Sequence, residues 1–432
     1  MSKLIFTLIC LSAFGGAIPC QARIITVDDN GPADFNNIQS AIDDTNDGDT
    51  IIVKKGIYLE NINFRGKNII LTSTNPNDPC VVATTIIDGQ QNGSVITFNG
   101  GEDSNCVLSG VTITNGGQCG SLECAGVACY HSSPTIIRNI ITWNWGGEWG
   151  GGIYCGESSS PLIIDNTIMK NYSEFAGGID CWDNSSPLII GNKILGNFPD
   201  FGMGAIHVAY SSPTILNNLI ALNFGAGIGI SRSGKQMIIL NNTIVGTLPS
   251  GYEHAGIRVY ESVTPIICNC IIWGNGDDLK GCTATYSCIE DEDDEEIGEG
   301  NIHSDPMFVF PGRWDDAGTP SPHIEDDILI EGDYNLKSQA GRWDPNSQSW
   351  VKDDVTSLCI DAGDPASPIG LEPFPNGGII NMGAYGGTQE ASKSYFGEPV
   401  CETIVAGDIN GDCIVNFKDF TLMAFHWLEE GR

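Results

Sequence analysis

The sequence predicts an all-β chain wound into a right-handed parallel β-helix, a solenoid with a capping helix at its start and a small helical segment at its end. Three observations carry that expectation. The first is self-similarity: "GGIYCGESSSPLIIDNTIMKN" at 151–171 returns as "GGIDCWDNSSPLIIGNKILGN" at 177–197 and as "GAIHVAYSSPTILNNLIALN" at 204–223. The second is register. Pro134, Pro161, Pro187 and Pro213 recur at intervals of 27, 26 and 26, followed by Asn139, Asn166, Asn192 and Asn218, then by Asn144, Asn171, Asn197 and Asn223. The third is texture: short Ile-rich runs such as "PLII" and "NTIMKN", punctuated by Gly, Asn and Ser, read as strands rather than helices. A fixed period in this range marks stacked repeats. Strands this short cannot bury an apolar face alone, so each coil must stack on the next, and parallel crossovers are right-handed. Leucine-rich repeats, the rival architecture, need a Leu spacing that is absent.

The elements follow in order. Residues 1–22, "MSKLIFTLICLSAFGGAIPCQA", combine a basic start, a short apolar run and a small-residue end, the pattern of a signal peptide cut after Ala22. A lipoprotein cleavage at Cys20 is the alternative. The expectation is a secreted protein without membrane insertion. Residues 23–287 hold the β-helix. Its opening carries an amphipathic helix with Phe35, Ile38, Ala41 and Ile42 on one face, suited to plugging the open end of the stack. The Asn positions belong at turns, where stacked amides can satisfy backbone groups. Cys129, Cys155 and Cys181 share one repeat position and suggest a buried stack, while Cys119 with Cys124 and Cys282 with Cys288 could form disulfides. Residues 288–397 lose the repeat and read as irregular coils and a cap; the acidic run Glu290–Glu296 within them reads as a solvated loop, with calcium binding as the alternative.

"DFNNIQSAIDDTNDGDTIIVKKGIYLENINFRGKNIILTS", from Asp34, resembles the opening of right-handed parallel β-helix proteins of the pectate-lyase-like superfamily, and the likeness runs through about residues 24 to 287. The resemblance implies fold; that superfamily spans lyases, hydrolases, epimerases and proteins without known catalysis. "NIHSDPMFV", "DYNLKS", "CIDAGDP" and "INMGAYGG" resemble the closing segment of secreted β-helix proteins. In residues 398–432, "GDINGDCIVNFKDF" sets Asp408, Asn410, Asp412, Asn416 and Asp419 at loop positions 1, 3, 5, 9 and 12, with the Ile414 carbonyl at position 7. That spacing folds oxygen ligands around Ca²⁺. It resembles one dockerin repeat, which implies a cohesin-like or cell-surface partner. Cys413 stands where the motif expects Gly, only one repeat is present, and Cys401 could bridge to Cys413.

A net charge of −34 counts against nucleic acid or an anionic membrane as partner, and against a bare polyanion unless cations intervene. Strand alternation turns Ile179 and Cys181 inward and Asp180 and Trp182 outward. One outward row then runs Tyr154, Asp180, His207, Gly229, Arg258, and a second runs Tyr130, Gly156, Trp182, Ala209, Ser231, Tyr260. Asp180, His207 and Arg258 are the candidate catalytic residues. Tyr130, Tyr154, Trp182, Tyr260 and Trp145 are candidates for stacking on sugar rings, with Trp143 and Trp149 walling one end. A plain solvated face is the alternative.

The expected function is binding or cleavage of an extracellular polysaccharide. In a lyase, calcium on Asp180, Asp183 and Glu157 would neutralise a uronic carboxylate while Arg258 or His207 takes the C5 proton. A non-catalytic glycan-binding or structural β-helix is the first alternative. A glycoside hydrolase is the second, weakened by the absence of "GHG" and "RIK".

Overall fold

The computed structural model describes residues 22–117, 125–232, 236–250, 254–261, 263–291, 298–315, 327–397, 407, 409 and 414–427. The rest of the signal-peptide segment, the Cys119–Cys124 pair, Cys401, Cys413, most of the acidic run, and Asp408, Asn410 and Asp412 lie outside those residues.

Three parallel sheets form the walls of a solenoid: sheet A with 10 strands from Ile24–Val27 to Ile266–Cys268, sheet B with 10 from Gly56–Leu59 to Cys288–Ile289, and sheet C with 9 from Ile62–Asn63 to Leu279–Lys280. Each coil gives one strand to each wall and hydrogen-bonds only to the coils before and after it. The register is that of the repeat: Ile163 pairs with Ile136 and Ile189, and Cys155 with Cys129 and Cys181. All six side chains point into the interior and are fully buried. Stacked Ile residues make up most of this core, each worth about 1.5–3 kcal/mol of transfer free energy. The three thiols share that apolar interior, and burial holds the Cys129 thiol well above its ordinary range.

The corners explain the Asn positions. Asn166 Nδ2 donates to Asn192 Oδ1 at 3.0 Å, Asn192 to Asn218 at 3.0 Å, and Asn218 to Asn242 at 3.0 Å. A second ladder runs Asn144, Asn171, Asn197, Asn223, each amide reaching the next at 3.0 Å. Ser132, Ser159, Ser185 and Ser211 form a third, in which each backbone N–H donates to the next hydroxyl at 3.1–3.2 Å. Every member is buried. The residue before each Asn of the first ladder (Arg138, Asp165, Gly191, Asn217, Asn241) takes a φ between 52° and 65°. The chain therefore turns through a single left-handed residue, and the ladder amide collects the backbone groups that the turn strips of strand partners.

The helix Ile38–Asp44 closes the first coil with Ile38, Ala41 and Ile42 fully buried. Phe35 precedes the helix and bridges Val27. At the other end the chain leaves the coil path. Antiparallel ribbons pairing Phe308–Phe310 with Asp333–Leu336 and Arg313–Asp315 with Ile328–Ile330 lie against the outer face of sheet B. There Leu195, Leu219, Ala221 and Val245 meet Phe308, Tyr334, Leu336 and Met382 in a second core. Trp314 Nε1 donates to the Leu222 carbonyl at 3.0 Å, and Asn217 Nδ2 to those of Ala384 and Gly386 at 2.9 and 2.8 Å. The Cys282–Cys288 disulfide is not formed. Cys288 sits in this second core with its thiol 3.1 Å from the Ser304 carbonyl, whereas Cys282 packs against the first.

Candidate functional site

The outward row on sheet C has the expected register: Tyr154 pairs with Asp180, Asp180 with His207, His207 with Gly229, and Gly229 with Arg258. Its exposure is not as expected. Tyr154 is 2%, Asp180 0% and His207 2% exposed, so the row is roofed over for its first three members. The roof comes from chain that leaves the wall between coils. Gly150 passes over Asp180: a Cβ there would stand 3.1 Å from the Asp180 Cβ and would collide with the Ile153 carbonyl oxygen, and the collision makes glycine obligatory in "EWGGG". Trp149 stacks on Phe175 at 4.9 Å between centroids and leans on Trp182 at 4.2 Å. Phe175 lies parallel to the His207 ring at 6.5 Å and touches Phe201 at 5.4 Å. At Gly229 a Cβ would collide with the Met203 carbonyl oxygen, so the Met203 segment crosses the row there.

Beneath this roof three polar side chains from successive coils are in line. His207 Nδ1 is 3.0 Å from Asp180 Oδ1, and His207 Nε2 is 3.0 Å from Ser231 Oγ. The buried carboxylate oxygen accepts a hydrogen bond from Nδ1–H, which leaves Nε2 to accept from the Ser231 hydroxyl. Asp180 Oδ2 is buried with no hydrogen-bond partner, an arrangement that costs about 1–3 kcal/mol. Ser231 is only half-buried and is the end of the line that faces outward.

Beside it the roof gives way to an open groove of about 360 Å³ lined by Phe175, Phe201, Met203, Arg258 and Tyr260. The Arg258 guanidinium rests over the Tyr260 ring, 4.5 Å from its centroid. Burial raises the Tyr260 phenol above its usual range, against the pull of Arg258 and Lys280, so it stays a neutral donor.

The remaining candidates are dispersed. Tyr154 is sealed with its ring over Gly156 and 5.5 Å from Tyr130; Tyr154 stands four coils, roughly 19 Å, from Tyr260's coil, and Tyr130 one coil farther. Tyr154 therefore cannot stack on a sugar. Trp145 belongs to another corner, where the rings of Trp145, Tyr172, Phe198, Phe224 and Trp314 meet in series, Tyr172 stacked on Phe198 and the others edge-on or tilted. Trp182 is half-buried against Trp149 and Tyr210. The calcium cradle of Asp180, Asp183 and Glu157 does not assemble: Asp180 faces His207, Glu157 pairs with His131 at 3.0 Å, and Asp183 is exposed beside Asn184. Among the described residues no cluster of three or more His, Cys, Asp or Glu could hold a metal. In the C-terminal loop Asp419 is buried and accepts from the Ile409 and Asn416 backbones at 2.7 Å each, while Asn416 Nδ2 donates to the Ile414 carbonyl at 3.1 Å. Sequence reasoning missed Phe175, Phe201, Met203 and the role of Ser231. The latter's place in the second row was the available signal, because a residue two positions on in the next coil lies diagonal to His207.

Fold and site define a parallel β-solenoid with a covered polar relay and an open aromatic groove on one wall. The chain belongs to the right-handed β-helix region family, whose model matches residues 69–244 and 125–290, together just over half its length. No curated protein matches it. Among solved structures, the crystal structure of pectate lyase Pel9A is similar at 14% identity and TM-score 0.45, over 84% of this chain and 96% of that one. A pectin methylesterase from carrot is similar at 12% identity and TM-score 0.39, over 65% of this chain and 88% of that one. At these values neither lends its chemistry to this chain.

Proposed function

We propose that this is a secreted, carbohydrate-active β-helix protein that holds an acidic extracellular polysaccharide on sheet C. The observation that carries the reading is the groove, where Phe175, Phe201, Met203 and Tyr260 offer apolar and aromatic surface beside the cationic Arg258. Sugar rings stack on such faces, and a guanidinium pairs with a carboxylate in a bidentate fork. In a chain of net charge −34, that local cation is what a uronic residue needs.

Calcium-assisted elimination survives in a narrower form, in which Arg258 meets the sugar carboxylate and calcium arrives with the polymer. Two-carboxylate glycoside hydrolysis has less support, since no carboxylate lines the groove among the described residues. In the C-terminal loop the inward-turned Asp419 supports calcium binding, and the exposed Phe417 and Phe420 supply an apolar face for a cohesin-like partner.

The test is affinity electrophoresis of the mature protein in gels containing uronic-acid or neutral polysaccharides, with absorbance near 235 nm followed in parallel for unsaturated ends. Retardation by an acidic polymer, lost in Tyr260→Ala and Arg258→Ala, is expected. Equal mobility in every gel, with no absorbance change, refutes the reading.

A further inference from the structure

We propose that Asp180, His207 and Ser231 form a nucleophilic relay that hydrolyses an ester on a sugar bound in the adjoining groove. The choice of a sugar ester rests on the glycan reading above; the nucleophile does not. A serine nucleophile needs a base at hydrogen-bond distance and a third group that fixes the base's tautomer. Both contacts here measure 3.0 Å, and they use opposite nitrogens of one imidazole. The three residues come from successive coils, whose main-chain ladders hold their spacing.

A structural role for this line would favour full satisfaction of its buried atoms. Instead Asp180 Oδ2 is left without a partner while Oδ1 serves His207. The roof of Trp149 and Phe175 keeps Asp180 and His207 from water, and Ser231 alone reaches the surface. Arg258 and Tyr260 lie one coil beyond Ser231, where a cation and a phenol O–H can stabilise a developing oxyanion. The apolar part of the groove suits an acyl group, and Arg258 suits a neighbouring carboxylate.

The step balances without a co-reactant other than water. Ser231 Oγ attacks the acyl carbon as its proton passes to His207 Nε2. The tetrahedral oxyanion collapses, the alcohol oxygen (the sugar's in an acetyl ester, methanol's in a methyl uronate) leaves and takes the proton from Nε2, and an acyl ester of Ser231 remains. Water then attacks that ester, gives one proton to Nε2, and the carboxylic acid departs as Ser231 Oγ regains the proton. The net change is ester plus water to alcohol plus acid.

The experiment exposes the full chain to a fluorophosphonate, maps the adduct by peptide mass spectrometry, and measures acetate and methanol release from acetylated and methyl-esterified polyuronates. A single adduct on Ser231 is expected, absent in Ser231→Ala that keeps the wild-type melting curve. Ester hydrolysis should vanish in the same variant, and Asp180→Asn should lower it about 10³–10⁴-fold. No adduct on folded wild-type protein, or hydrolysis indifferent to Ser231→Ala, overturns the proposal. An adduct on Ser231 with neither product released overturns the sugar-ester substrate and leaves the nucleophile standing. Loss of glycan retardation with labelling intact strikes the groove reading alone.

Discussion

Replacing Asn192 by alanine tests whether the amide ladders hold the coils or merely decorate them. Asn192 Oδ1 accepts from the Asn166 backbone N–H at 2.9 Å and from its side-chain amide at 3.0 Å. Its Nδ2 donates to the Ile163 carbonyl at 2.8 Å, the Ile190 carbonyl at 3.1 Å and Asn218 Oδ1 at 3.0 Å. Alanine strips at least the Asn166 N–H and the Ile163 carbonyl of these partners inside a dry corner. At about 1–3 kcal/mol for each unsatisfied group, with the broken links to Asn166 and Asn218 added, the loss is about 3–6 kcal/mol. Ser160→Ala is the control: it removes the acceptor for the Ser186 N–H in an exposed ladder, where water substitutes, and should cost no more than about 0.5 kcal/mol. Guanidinium unfolding followed by far-ultraviolet circular dichroism measures both. If Asn192→Ala falls within 1 kcal/mol of the wild type at an unchanged denaturant slope, the coils owe their cohesion to the Ile stack alone.

Three further outcomes are expected. Burial raises the Glu372 carboxyl to about 7, so the fold favours its protonated form: that contribution is complete below the unfolded carboxylate range and lost as pH rises through about 7. Glu372→Gln keeps an oxygen for the Asn381 and Gly387 N–H groups and should be the more stable protein at pH 8 by up to about 3 kcal/mol, yet equal at pH 4; parallel pH curves for the two would refute this. Ile42→Asp puts a charge where the capping helix meets the first coil and should shift elution in size-exclusion chromatography toward larger species; unchanged elution removes the capping role. Calcium should move the amide resonances of Ile409 and Asn416 in the wild type but not in Asp419→Ala, and a flat titration excludes calcium from that loop.

Much of the solenoid was legible because stacking makes each coil repeat its constraints. Asn166, Asn192 and Asn218 occupy corners where the amide's separate donor and acceptor atoms link each coil to the next along the axis, so they recur as visible letters. Cys155 and Ile163 recur for the same reason of interior shape. The left-handed residue that makes each corner was not legible, since Arg138, Asp165, Gly191 and Asn217 share a conformation and no chemistry. The row on sheet C was right in register and wrong in exposure. Alternation states which side of a strand a residue takes; it says nothing of what crosses above. The roof over Asp180 is contributed by Gly150 and Trp149 and that over His207 by Phe175, all from connections whose paths no strand periodicity records. The cover on sheet B escaped notice because Leu219 and Val245 pack against a segment about a hundred residues away.

Drawing a site from three successive coils sets the scaffold and the site under different rules for change in length. Every coil offers the same hydrogen-bonding edge to its neighbour, so one whole repeat inserted between Ala176–Cys181 and Gly204–Ala209 would leave the ladders continuous. It would also part Asp180 from His207 by a further coil, about 4.8 Å, and sever their contact. The main-chain ladders alone set no limit on repeat number, whereas the proposed relay requires the coils from Asp180 to Ser231 to keep theirs.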